Sequence, residues 1–141
     1  MSDLLKLAER CEAATGPDRE LDEQCALAAG YSLVDPRPNE RLQEHKRWVG
    51  PDGERNGWVH NPNSFDFPPH YTASIDAAMT LVSEGWDYEI RRSGPWHQVT
   101  LWPVAMRGRN DITVSTETTP ALALCAAALR ARSEAAAVGG R

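Results

Sequence analysis

The residues of this chain with the most chemical capacity are four histidines, His45, His60, His70 and His97, and three cysteines, Cys11, Cys25 and Cys125. Their spacing assigns them no reaction. None of the histidines belongs to HExxH, HxH or a Cys/His cluster, and no CxxC occurs, so no metal site is expected. Asp66 and His70 lie four apart, but in a proline-broken segment that spacing does not set one face. GxxxxGK[ST], GxGxxG and GxSxG are all absent. Ser74 precedes a helix and reads as its N-cap rather than as a nucleophile. The acids Asp18, Glu20, Asp22 and Glu23 read as the wet side of a helix, with Arg19 pairing with Glu23 one turn on. No catalytic residue and no cofactor is therefore expected, and the reading is of a protein that is not an enzyme.

Binding chemistry is better represented. The approach to Tyr71 offers Thr72 and Ser74 hydroxyls at a helix start, where free N–H groups favour anions. Trp48, Trp58 and Tyr71, with Phe65 and Phe67, can supply stacking faces. Arg91, Arg92, Arg107 and Arg109 can supply forks for phosphate, and His70 stands beside the aromatics. These are the ligand-binding candidates. The competing reading makes the aromatics core and leaves Thr72 and Ser74 as caps only.

Four helices and several short strands must position these residues. Leu4, Leu7, Ala8 and Cys11 recur at helical spacing over Asp3–Ala14. Thr15-Gly16-Pro17 stops that helix and starts a second, whose expected stripe is Leu21, Cys25, Ala28 and Ala29. Tyr31–Val34, Arg47–Val49 and Gly57–His60 read as short strands, the last two as a hairpin. A third helix is expected over Ser74–Ser83, with Ile75, Ala78, Met79 and Val82 inward. Trp86–Arg91 alternates as a half-buried strand and turns at Ser93-Gly94-Pro95. His97–Trp102 returns, with Val99 and Leu101 on one face and Thr100 and Trp102 on the other. Ile112–Val114 is a further strand. Thr119-Pro120 opens the last helix as N-cap and first-turn proline, with Leu122, Cys125, Ala126 and Leu129 as its core face.

At 141 residues the chain is long enough for one ordinary domain, expected over 1–134 with a flexible tail at 135–141. Amphipathic helices on an antiparallel sheet give an α+β layered fold. The net charge of −5 argues against a non-specific nucleic-acid binder. The charge is uneven: residues 1–30 carry −4, 31–85 carry −3 and 86–141 carry +2. All seven bases of that last part are arginines, which suits a local anion-binding face. The odd number of cysteines suggests free thiols in a reducing compartment. No signal peptide and no apolar run near the ~20 residues of a membrane span are evident. The expected location is cytosolic.

Three segments carry a family likeness: LLKLAERCEAATGPDRELDEQCALAAG from Leu4, YTASIDAAMTLVSEGW from Tyr71 and TTPALALCAAALRARSEA from Thr118. Together they resemble the phage ABA sandwich domain family, small proteins of tailed phages and bacterial prophages. The resemblance implies a three-layer α/β/α sandwich with a mainly antiparallel central sheet, and a location in the cytoplasm of a bacterial host. It carries over no catalytic motif, and the family pattern varies across Tyr31–His70. The function expected is a phage-type accessory protein that sequesters a small anionic, nucleotide-like ligand such as a host defence signal. The alternatives are a protein-binding adaptor or inhibitor of a host or phage protein, and a hydrolase. A second copy of the chain is a further expected partner, since two-fold dimers are the commonest assembly.

Overall fold

In the computed structural model the described residues are 3–34, 47–50, 64–65, 68–105 and 111–139. They form α1 (Asp3–Ala13), α2 (Arg19–Ala28), β1 (Ser32–Val34), β2 (Arg47–Val49), β3 (Ser64–Phe65), α3 (Ile75–Met79), β4 (Trp86–Ser93), β5 (Trp96–Pro103), β6 (Ile112–Thr116) and α4 (Pro120–Gly139). The class is α+β with antiparallel sheets. No helix among the described residues is long and apolar enough to cross a membrane.

The chain divides into two compact units, one made of residues 1–25 and 70–141 and the other of residues 26–69. In the second unit β2 is the middle strand of a three-stranded sheet, pairing antiparallel with β1 and β3. The hairpin partner expected at Gly57–His60 lies outside the described residues.

The first unit is organised around α4. Thr119 caps it, its Oγ1 accepting from the Leu122 N–H at 3.1 Å, and Pro120 occupies the first position, where no N–H is needed. Every residue from Ala121 to Leu129 is buried, so the helix has no wet face over more than two turns. A helix that is apolar all round belongs in an interior. One side lies on β5 and β6, and α1 and α3 pack against it elsewhere. Its alanines let the neighbours approach closely, while Leu122, Leu124 and Leu129 fill the gaps, each worth about 2 kcal/mol of burial. α1 is tied to α4 by a fork: Arg130 Nε and Nη2 donate to the two Glu12 carboxylate oxygens at 2.9 and 2.8 Å. That bond holds the Arg130 guanidinium above its ordinary pKa.

The sheet beneath α4 runs β4-β5-β6. Tyr88, Leu101 and Ile112 form one cross-strand row, and Ile90, Val99 and Val114 the next. Both rows share a face because opposite residues in an antiparallel pair point the same way. The β4–β5 connection is Gly94-Pro95, with Gly94 at φ +60°, the glycine-first pattern of a two-residue hairpin.

Two helices differ from expectation. α3 ends at Met79, and Thr80, Leu81 and Val82 continue it only as i→i−3 turns. The Thr80 hydroxyl also bonds the Ala77 carbonyl at 2.6 Å, so local hydroxyl-to-backbone bonding tightens the exit. Ile75 and Met79 are consequently exposed, and Leu81 goes inside instead. At the C-terminus α4 continues through Gly139, so the tail expected from residue 135 begins as helix. Alanine at 135–137 explains the extension.

Cys11, Cys25 and Cys125 are all fully buried. Cys11 is hydrogen-bonded to Cys25, and Cys25 to Cys125. The bond to Cys25, followed by burial, pushes the Cys11 thiol far up. The Cys11 bond favours the Cys25 thiolate, but the bond to Cys125 and burial outweigh it, and Cys25 is also pushed up. Both thiols therefore stay protonated in the folded chain at a pH where they ionise in the unfolded one. Above about pH 8.5 the unfolded state binds fewer protons, so stability falls as pH rises, by about 1.4 kcal/mol per pH unit for each thiol. Urea unfolding under reducing conditions at pH 7.5 and pH 9.5 should show this loss, and Cys11→Ala should remove about half of it.

Candidate functional site

The segment from His70 to Ser74 meets the start of α2 around one buried carboxylate. Asp22 is 1% exposed. Its Oδ1 accepts from the Thr72 N–H and from Thr72 Oγ1, both at 2.8 Å, and its Oδ2 accepts from Arg19 Nη1 at 2.8 Å. Thr72 Oγ1 in turn accepts from the Asp18 N–H at 2.8 Å. Asp18 caps α2, its Oδ1 accepting from the Leu21 N–H at 3.1 Å. A buried carboxylate needs such partners, because an ionised group without them costs several kcal/mol.

The same Arg19 Nη1 lies 2.7 Å from His70 Nδ1. A guanidinium only donates, so Nδ1 accepts and the ring proton sits on Nε2. The imidazole is exposed, and its orientation is fixed from behind by Arg19. Beside this group lies an open depression of about 200 Å³, lined by Arg10, Ala13, Ala14, Asp18 and Leu21. Arg10 Nη2 reaches Glu20 Oε1 at 3.1 Å on its rim.

The structure brings three of the sequence candidates, His70, Tyr71 and Thr72, into one place, but with roles other than those expected. Tyr71 and Thr72 are completely buried, so the ring packs and cannot serve as a stacking platform. The Tyr71 carbonyl accepts from Cys125 Sγ at 3.2 Å, anchoring the segment on α4. The Thr72 hydroxyl is committed to Asp22 and Asp18. Ser74 caps α3, its Oγ accepting from the Ala77 N–H at 3.3 Å. A five-residue helix carries too little aligned dipole to hold an anion by itself. Trp48 is buried within the second unit, in register with Leu33 and Phe65. Arg91 and Arg92 are successive on β4 and so point to opposite faces, and Arg91 lies 3.7 Å from Glu89. Trp58, Arg107 and Arg109 lie outside the described residues.

Sequence reasoning missed Asp22 and the partners of Arg19. Arg19 pairs with Asp22, not with Glu23, and Asp22 is not on a wet face. The buried residues of α2 are Leu21, Asp22, Cys25 and Ala26, while Ala28 and Ala29 are only half-buried. The i, i+1, i+4, i+5 alternative was open in the sequence, and it places Asp22 inside.

Among the described residues, no three His, Cys, Asp or Glu side chains are grouped so as to hold a metal ion. Comparison with family models, curated proteins and solved structures gives no match to this chain.

Asp22→Ala removes the acceptor for a buried N–H, a hydroxyl and a guanidinium at once. It should lower unfolding stability by about 3 kcal/mol, read as the urea midpoint at pH 7. Glu23→Ala on the exposed side should shift it by less than about 0.5 kcal/mol.

Proposed function

We propose that this chain is a non-enzymatic binding module of the phage or prophage accessory type. Its ligand is a small anion of nucleotide character, such as a host defence signal, taken up in the cytoplasm of the bacterial host. The family likeness of the three quoted segments supports the source, and with it a three-layer arrangement of helices about the sheet. The observation that carries the binding reading is the Asp22–Arg19–His70 chain. A buried carboxylate holds a guanidinium, which holds an exposed imidazole in one tautomer with Nε2–H as its donor. A donor held in place loses little freedom on meeting an anion, which favours binding. The depression lined by Arg10, Ala13, Ala14, Asp18 and Leu21 shares Asp18 with this network and offers room for further ligand atoms.

A second reading, a protein-binding adaptor for a host protein or for another copy of the chain, is favoured by a different observation. Ile75 and Met79 stand one turn apart on α3 and are both more than a third exposed. Paired apolar residues at that spacing suit a shallow protein contact.

Equilibrium titration with a panel of cyclic and linear nucleotides separates the two. The binding reading predicts a Kd below about 100 μM for at least one of them, and His70→Ala should weaken it about tenfold without moving the urea midpoint. No saturable binding in that range contradicts the reading.

A further inference from the structure

The α4-facing side of the β4-β5-β6 sheet changes character at its hairpin end. Two rows of it are apolar, as described above. The next row is Arg92, His97 and Thr116: Arg92 faces His97 across β4 and β5, and His97 faces Thr116 across β5 and β6. All three strands switch from apolar to polar at the same level. Facing side chains in such a row stand about 5 Å apart at Cβ.

The row has an unusual charge balance. Arg92 and His97 make no ion pair and no side-chain hydrogen bond among the described residues. Glu117, the next residue after β6, makes none either. A permanent cation therefore faces an imidazole with no ion-paired carboxylate among the described residues. Thr116 closes the row. It is 5% exposed, its Oγ1 accepts from the Thr118 N–H at 3.2 Å and lies 2.8 Å from Thr118 Oγ1. When Thr118 supplies the proton between the two oxygens, the Thr116 hydroxyl is left as a donor.

A planar guanidinium fork, an imidazole N–H and a hydroxyl in one line match the oxygens of a tetrahedral oxyanion. The fork takes two oxygens and the other two donors take the rest. We propose that the Arg92–His97–Thr116 row is a binding site for a phosphoryl-type oxyanion, either free phosphate or the terminal group of a phosphomonoester. It does not rest on the reading of Arg19 and His70, and it shares no residue with that site. Trp96 pairs with Ser93 on the other face of the sheet, so the site offers no stacking platform and reads the phosphoryl group alone.

The test is an NMR titration of the full ¹⁵N-labelled chain with sodium phosphate, against sodium chloride at equal ionic strength. The expected result is saturable movement of the amides of residues 92, 97, 116 and 118, with a Kd below about 1 mM. Adenosine monophosphate should move the same amides and compete with phosphate. Arg92→Ala and His97→Ala should each weaken binding by about tenfold or more, and Arg92→Lys should restore only part of it. Both side chains lie at the hairpin end, Arg92 exposed, and an unchanged circular dichroism spectrum checks that the variants fold. Movement that tracks chloride equally, or affinity unchanged within about twofold in Arg92→Ala, would overturn the proposal. So would phosphate binding abolished by His70→Ala but kept in Arg92→Ala, which would assign the anion to the other site.

Discussion

The Asp22 carboxylate is the constraint on which this arrangement turns. It is buried on α2, and each of its oxygens accepts a hydrogen bond, as a buried polar group must. Those donors come from the start of α2 and from Thr72, fifty residues further along the chain. Meeting this one demand closes the long excursion between Cys25 and His70. It brings the segment before α3 back onto α2, where Cys125 then fixes the Tyr71 carbonyl to α4. The exposed end of the same network is Arg19 with His70. A change that removes Arg19 also leaves the buried Asp22 without one of its donors.

Around this polar point the rest of the first unit is apolar packing. α4 is enclosed on all sides from Ala121 to Leu129, resting on β5 and β6 and held by α1 and α3. Two arginines at its far end act on neighbouring elements rather than on solvent alone. Arg130 forks onto Glu12 of α1, and Arg132 Nε donates to the Leu81 carbonyl at 2.8 Å, satisfying a group left open where α3 stops short. The short α3 and the long α4 are therefore one device: the second supplies what the first leaves unpaired.

Much of this was legible from residue pattern. The β4–β5 hairpin and its Gly94 turn, the placement of Val99 and Leu101 opposite Thr100 and Trp102, and the Thr119-Pro120 helix start all follow from period and turn chemistry. Local rules govern those places. The faces of α2 and α3 were not legible, because tertiary partners decide them. An aspartate beside a leucine and a cysteine reads as surface unless its donors are known, and Thr72 is too distant in sequence to be seen as one of them. Likewise Ile75 and Met79 keep a core spacing, yet the Thr80 hydroxyl ends the helix and turns Leu81 inward. Of the residues proposed from sequence, His70 and Thr72 meet Arg19, Asp18 and Asp22 of α2. On the other side of that stretch, Asp22 reads as surface from sequence but is buried, and Arg19 pairs with it rather than with Glu23.

Hydrogen exchange of the Thr72 amide measures the central constraint directly. Thr72 sits in a turn with no ladder or helix bond, where an amide ordinarily exchanges fast. Bonded to a buried carboxylate, it should exchange as slowly as the Val99 and Leu101 amides in the middle strand of the sheet. Exchange at the rate of an open loop, with β5 still protected, would contradict the claim that Asp22 and Thr72 hold this part of the molecule together.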